Sequence, residues 1–271
     1  LYLDPGTGIE KDLAIEGTTG EKKTDLTVRK RICDEFYSDC VLGFANMLWR
    51  NHFPFDVISD KHLKRDSLGK YSTLILPNAA CLDDVQIEAV YSFVKQGGRL
   101  VSSFETSCYD GRGRPRGRNP MWELLGVDRI DGMMTPRIGE EYMRIVGATE
   151  GISSIPEGKW IPRPSYALKA IPKKNASVPC IYLTQIGAYY SPPRGDSPHS
   201  AMIFNKYGLG DSIFFSNLIG EFYAKYKMPP ISDFFSDIMR TTQRRTPPVA
   251  IDAPGTVQFE LRSQNNPRRF L

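Results

Sequence analysis

The chain has 271 residues, of which 41% are hydrophobic and 24% are charged, as in an ordinary globular protein. The formal net charge is +4, with basic and acidic residues interspersed, which argues against nucleic acid as a partner. No apolar run approaches the roughly 20 residues that cross a bilayer, and residues 1–30 lack the apolar stretch of a signal peptide, so we expect no membrane partner. The five cysteines are odd in number and form no C-x-x-C pair, which argues against a disulfide framework and a zinc site. We expect neither a metal nor a cofactor, and of the possible compartments the cytoplasm is favoured.

The first half of the chain alternates helices with strands. After a loop-like start over 1–28, with one possible strand near Leu13–Ile15, apolar side chains recur every four residues from Ile32 to Leu48. This spacing predicts a helix over 29–51. The further elements predicted in this half are strands over 53–59, 72–78 and 99–104 and a helix over 84–96. Their order and lengths imply right-handed crossovers and a mostly parallel sheet.

The second half is less regular, and residues 132–198 are rich in proline and glycine. The elements predicted here are an arginine-containing loop over 110–120, a helix over 121–127, strands over 141–146 and 180–184, two antiparallel strands within 200–217, a helix over 231–242 and a strand over 256–263. The last strand has no partner before Leu271, so we expect the natural protein to continue past this end.

Three segments carry a specific resemblance: FPFDVIS, YSTLILPNAACLDDVQIEAVYSFVKQGGRLVSSFETSCYD and NKYGLGDSIFFSN. In order and style they resemble the β-galactosidase trimerisation domain, a class I glutamine amidotransferase-like domain of family 42 β-galactosidases and related glycoside hydrolases. The resemblance is clearest over 40–130 and 198–245 and weak over 132–198. It implies an α/β, flavodoxin-like three-layer sandwich with a mostly parallel sheet over 1–245. Residues 246–271 would then be a linker and the start of a small β domain.

The same resemblance implies a role in assembly. In the galactosidases this domain follows the catalytic barrel, builds the oligomer and shapes the edge of the neighbouring active site. We therefore expect a non-catalytic accessory domain of a glycoside hydrolase, with an N-terminal barrel of its own protein and further copies of the chain as partners. The resemblance also implies that amidotransferase chemistry has been lost.

The residues after the predicted strand 99–104 bear on that loss. A cysteine amidotransferase needs a thiol on the strained turn after this strand, with a histidine base oriented by a carboxylate. Here Glu105 or Thr106 falls at the turn, and Cys108 follows two or three residues later without a flanking glycine. None of the three histidines lies in an H-x-E motif, and only His199 follows the strand. We expect no catalytic residue, and a hydrolase that uses Cys108 is one alternative.

A carboxylate stands where the nucleophile would be. Glu105 ends a predicted parallel strand, at the edge where α/β folds collect ligands, and Asn78 ends the neighbouring strand. A second alternative is therefore a carbohydrate-binding module that uses this crevice. The candidate binding residues are Asn78, Glu105, Thr106, Ser107, Tyr109, Asp110 and Arg112. The structural alternative is an ion pair between Glu105 and an arginine of the loop that follows.

Two further stretches suggest contacts with partners. The arginines of the 110–120 loop could clamp an acidic sugar, but loose surface charges contribute little, so solvation or a subunit contact is favoured. Residues 189–193, YYSPP, resemble an exposed loop whose aromatic rings suit an interface. The candidate interface residues are Arg114, Arg116, Tyr189 and Tyr190.

Overall fold

A computed structural model describes residues 2–3, 37–134, 142–147, 154–184, 195–241, 249 and 251–259. These residues form a mixed α/β fold around a curled sheet. The helices are α1 (37–50), α2 (Asp84–Lys95), α3 (Trp122–Leu125), α4 (Ile219–Tyr226) and α5 (Pro229–Thr241). The strands are β1 (Tyr2–Leu3), β2 (Ile58–Ser59), β3 (Thr73–Leu76), β4 (Arg99–Ser103), β5 (Val127–Met134), β6 (Tyr142–Ile145), β7 (Trp160–Pro162), β8 (Ala167–Pro172), β9 (Ser177–Leu183), β10 (Asp196–Tyr207) and β11 (Gly210–Phe215).

One half of the sheet is parallel. Strand β4 lies between β3 and β11 and pairs with both in parallel, and β1 pairs in parallel with β2 and contacts β3. Every residue of β4 is buried, as expected for a strand with neighbours on both sides. Helix α2 connects β3 to β4, and its start is fixed by a capping box. Asp83 Oδ1 accepts from Gln86 N at 2.7 Å and Gln86 Oε1 accepts from Asp83 N at 2.9 Å.

The other half is antiparallel, which corrects the expectation of a mostly parallel sheet. Strands β10 and β11 form an antiparallel hairpin, and β10 also pairs with β9 and β8. Strand β6 pairs with both β9 and β7, and β5 pairs with β8. Most of these strands lie in the Pro- and Gly-rich region, where the sequence predicted only two strands. These strands tolerate proline and glycine because the strands are short, bulged or near an edge of the sheet.

The core of the described residues consists of two large hydrophobic clusters on opposite faces of the sheet and a third, small cluster of Ala80, Cys81 and Tyr109. Because side chains alternate along a strand, Ile75 and Val101 face one cluster whereas Leu74 and Leu100 face the other. Apolar residues of α1, α4 and α5 fill the first cluster, and those of α2 and α3 fill the second. The sheet is therefore covered by helices on both faces.

Most predicted elements of the first half are confirmed, with shifted ends. The predicted strand 53–59 is shorter, since only Ile58–Ser59 pairs. The start of the predicted helix 29–51 and the possible strand Leu13–Ile15 lie outside the described residues. Residues 256–259 of the predicted strand 256–263 are not a strand, and the rest of that range is outside the description.

Helices α1 and α4 approach so closely that only glycine fits at their crossing. A Cβ atom on Gly43 would lie 1.8 Å from the carbonyl oxygen of Gly220, and one on Gly220 would lie 2.6 Å from the carbonyl oxygen of Cys40. The crossing thus brings the two backbones into direct contact.

A carboxyl group is buried beside this crossing. Glu221 is 3% exposed, and no described residue forms a hydrogen bond with its Oε2. Burial raises the pKa of Glu221, Lys225 opposes this shift, and Asp39 adds to it. The carboxylate form is therefore disfavoured in the folded protein.

We expect Glu221→Gln to stabilise the protein at alkaline pH. A raised pKa means that the folded state holds the proton more tightly, so the wild type loses stability as pH rises above the ordinary carboxyl value of 4.5. The substitution removes this loss and should raise the free energy of unfolding by about 1 kcal/mol at pH 8. The gain should vanish near pH 4. Urea unfolding at both pH values measures it. The control Glu88→Gln, at an exposed position of α2, should show no pH-dependent gain.

Candidate functional site

The turn after β4 contains a strained residue. Phe104 directly follows the strand with φ +50°, a conformation that residues other than glycine rarely adopt. Its backbone N–H still donates to Phe215 O at 2.8 Å, and its ring is 1% exposed within the core. A nucleophile elbow would carry its thiol or hydroxyl at such a position. The sequence predicted Glu105 or Thr106 there, so the strained position lies one residue earlier and holds a buried phenylalanine.

The two hydroxyl groups of the predicted site hold the turn together. Thr106 Oγ1 donates to Ser103 O at 2.7 Å, and Ser107 Oγ donates to Asn119 Oδ1 at 2.6 Å. Both residues are 0% exposed. Ser107 also has a positive φ of 61°. These hydroxyls thus serve the internal hydrogen bonding of the turn.

Asn119 anchors this turn, a role that the sequence did not predict. Its Nδ2 donates to Thr106 O at 2.7 Å and to Cys108 Sγ at 3.4 Å. Its Oδ1 also accepts from Met121 N at 2.8 Å, just before α3. The signal in the sequence was an asparagine followed by proline ahead of a helical segment, a common helix start.

Asn78 and Glu105 lie side by side, as the sequence predicted. Glu105 N donates to Asn78 Oδ1 at 3.2 Å, and Asn78 N donates to Ser103 Oγ at 2.9 Å. The hydroxyl of Tyr109 donates to Glu105 Oε1 at 3.4 Å. Asn78 and Tyr109 are buried, whereas Glu105 is half-buried. The carboxyl ends of β3 and β4 therefore place the half-buried carboxylate of Glu105 beside the buried amide of Asn78.

Asp110 organises the arginine loop. Its Oδ1 accepts from the backbone N–H groups of Arg112 and Arg114 at 2.9 Å each, and its Oδ2 accepts from Arg114 Nε at 2.8 Å. The backbone N–H of Arg114 contributes most to holding the pKa of Asp110 below its usual range. Arg116 donates to Leu82 O at 2.9 Å and also pairs with an aspartate of α2. Arg114 and Arg116 thus stabilise their own loop, while the side chain of Arg112 is exposed.

Tyr189 and Tyr190, the other predicted interface residues, lie outside the described residues.

The three histidines form hydrogen bonds away from Cys108. His52 Nε2 contacts Val257 O at 3.1 Å, and His62 Nδ1 contacts a serine hydroxyl at 3.2 Å. His199 Nδ1 contacts Ser197 Oγ at 3.0 Å, and burial lowers the pKa of His199. Cys108 Sγ instead accepts from the amide of Asn119 at 3.4 Å. In the contacts among the described residues, the thiol therefore lies against Asn119, and each imidazole contacts a different group.

The described residues contain neither a candidate metal site nor a candidate membrane-spanning helix. Within them, no group of three or more His, Cys, Asp or Glu side chains is placed to hold a metal ion. No helix in the same ranges combines the length and the apolar character that a membrane crossing requires.

Comparison with known proteins identifies the fold. The chain shares its fold with part of a β-galactosidase. The enzyme from Bacillus circulans sp. alkalophilus matches with a TM-score of 0.65 and 18% identity, over 85% of this chain and 30% of that one. An α-L-fucosidase isoenzyme from Paenibacillus thiaminolyticus matches with a TM-score of 0.55 and 16% identity, over 76% of this chain and 29% of that one.

A third match spans nearly the whole of its protein. A cytoplasmic protein from Salmonella typhimurium matches with a TM-score of 0.54 and 12% identity, over 74% of this chain and 87% of that one. No family model and no curated protein matches the sequence. The chain spans about 30% of the length of the glycoside hydrolases it matches, and at these identities the likeness concerns the fold.

Proposed function

We propose that the chain is a non-catalytic accessory domain of a glycoside hydrolase, of the β-galactosidase trimerisation type. The observation that carries the proposal is the turn after β4, where a buried phenylalanine takes the strained position and the hydroxyls nearby are tied up internally. A fold shared with parts of a β-galactosidase and a fucosidase supports the context of a larger hydrolase. The partner of this accessory domain would be a catalytic barrel of the same protein.

The arrangement of the parallel strands supports the finer assignment to the flavodoxin-like, glutamine amidotransferase-like class. Strands β3, β4 and β11 are parallel neighbours, the separate parallel pair β1–β2 contacts β3, and helices lie on both faces of the sheet. The antiparallel strands β5–β10 would then be an elaboration on the β11 edge. In this interpretation the β4 turn retains the position of an amidotransferase elbow without its chemistry.

Exposed apolar side chains support a role in assembly. Leu42 on α1 is 50% exposed and Tyr226 on α4 is 54% exposed, and these two helices cross at Gly43 and Gly220. Large apolar side chains that lose their contact with water contribute to association. A stable interface of this kind would bury about 1,000 Å² or more. We propose that the surface around Leu42, away from the carboxyl end of α1, contributes to contacts between copies of the chain.

We expect the purified chain to form a homo-oligomer larger than its 30.6 kDa monomer. Light scattering coupled to size-exclusion chromatography measures the mass. Leu42→Asp should shift the protein to the monomer, because a charge at the centre of an apolar contact cannot be solvated there. Val85→Asp is the matched control, since Val85 is 67% exposed on α2, and should leave the mass unchanged. A wild-type monomer at about 100 μM, a concentration that populates even weak dimers, would contradict the assembly role.

A further inference from the structure

A cleft of about 600 Å³ opens at the carboxyl end of α1. The residues that line it include Trp49, Phe53, Phe55, Asp56, Tyr71 and Gln258. A second cleft of about 230 Å³ shares Trp49 and Gln258 with the first and is also lined by Asn46 and Arg50. Neither cleft includes a residue of the turn after β4. The larger volume lies within the range of small-ligand sites, roughly 300–1,000 Å³.

Aromatic rings form one wall of this cleft. The rings of Trp49 and Phe55 lie 5.4 Å apart between centroids, tilted by 52°. Trp49 is 40% exposed, so part of its ring faces the open space. The face of an aromatic ring carries partial negative charge and attracts polarised C–H groups. Such a wall suits the apolar face of a pyranose ring.

A fixed carboxylate stands near this wall. Asp56 Oδ2 accepts from the hydroxyl of Tyr71 at 2.6 Å and from Lys70 Nζ at 3.1 Å. The Tyr71 bond contributes most to holding the pKa of Asp56 below its usual range, so the carboxylate is ionised at neutral pH. A carboxylate accepts several hydrogen bonds at once, so Asp56 can accept from ligand hydroxyls in addition to its partners within the protein. The ammonium group of Lys70 lies 3.1 Å from this carboxylate and offsets its charge.

We propose that this cleft binds a short neutral oligosaccharide. Trp49 and Phe55 would stack against a sugar ring, Asp56 would accept from its hydroxyls, and the amide of Gln258 would supply both a donor and an acceptor. The lining combines the apolar surface and the few oriented polar groups that a polyhydroxylated ligand requires. The choice of probe sugars rests on the proposed function, whereas the lining of the cleft does not depend on it.

Titration calorimetry with β-1,4-galactobiose and xylotriose tests this site on the intact chain. We expect saturable binding with a Kd in the low millimolar range, and an affinity at least about tenfold lower for Trp49→Ala and for Asp56→Asn. Trp160→Ala is the matched control, because Trp160 is 47% exposed on β7 and outside both clefts. It should bind as the wild type does. Asp56→Asn keeps the test decisive if Trp49→Ala unfolds.

Two outcomes would overturn this inference. One is the lack of saturable heat for either sugar up to about 20 mM, well above the expected Kd. The other is binding that survives Trp49→Ala and Asp56→Asn but is lost in Glu105→Gln, which would place the sugar in the Asn78–Glu105 crevice. Calorimetry tests the sugar site, and light scattering tests the assembly role. Because neither calorimetric outcome affects the oligomeric mass, the two proposals can fail independently.

Discussion

Replacing Gly43 with alanine is expected to lower the free energy of unfolding by more than about 3 kcal/mol. The added Cβ would lie 1.8 Å from the carbonyl oxygen of Gly220, so a backbone atom and not a flexible side chain would have to move. Helices α1 and α4 would have to separate, and both contribute to the same hydrophobic cluster. Urea denaturation followed by far-UV circular dichroism measures the loss.

Gly69→Ala is the matched control for this prediction. Gly69 has no atom within 4 Å of the position that its Cβ would occupy, and it is exposed. This substitution should change stability by no more than about 0.5 kcal/mol. A loss below about 1 kcal/mol for Gly43→Ala would show that the two helices cross with more space than the structure has.

Phe104→Ala is expected to destabilise the protein by about 3–5 kcal/mol, because it removes a fully buried ring from the core and leaves a cavity. Phe104→Gly is its matched partner. Both variants lose the ring, but only glycine adopts the positive φ of 50° without strain. The glycine variant should therefore be more stable than the alanine variant by about 1 kcal/mol. Thermal and urea unfolding of the two variants separate the effect of losing the ring from the effect of backbone strain.

A reversed order, with alanine more stable than glycine, would show that Phe104 is not held in the left-handed conformation. It would also remove the main argument that this turn has the geometry of a nucleophile elbow.

The parallel half of the fold could be predicted because its signals are local. The strand predicted over 72–78 is β3, and the helix predicted over 84–96 is α2. Compact apolar runs mark the strands, Asp83 caps the helix, and Gly97 with φ +109° follows its end. Each of these signals lies within a few residues of the element it predicts.

The antiparallel half was predicted only in part: the β10–β11 hairpin, β6 and the end of β9 were expected, whereas β5, β7 and β8 were not. The missed strands depend on distant neighbours. Strand β5 runs VDRIDGMM, with most of its charged side chains exposed and Arg129 paired to Asp131 within the strand. Without the β8 pairing such a segment has no apolar alternation to identify it. The strand predicted over 180–184 is the second half of β9, and its start was missed because Pro179 usually argues against a strand.

The candidate site also has features that the sequence predicted and features that it did not. Asn78 and Glu105 were expected to meet because each follows one of two neighbouring parallel strands, and the hydrogen bond between them confirms it. The strain at Phe104 depends on tertiary contacts that no local pattern encodes. The Asn119-Pro120 pair indicates a helix start, but not the hydrogen bond from Asn119 to Thr106 O.

The hairpin of β10 and β11 belongs to both halves of the sheet, since β11 completes the parallel part and β10 carries the antiparallel part. Separating β10 from β11 would create two exposed sheet edges, each with a row of unpaired backbone N–H and C=O groups. Within the described residues, the two halves of the sheet therefore cannot be separated between β10 and β11 without exposing both edges. If this sheet moves between larger proteins, its parallel and antiparallel halves have to move together.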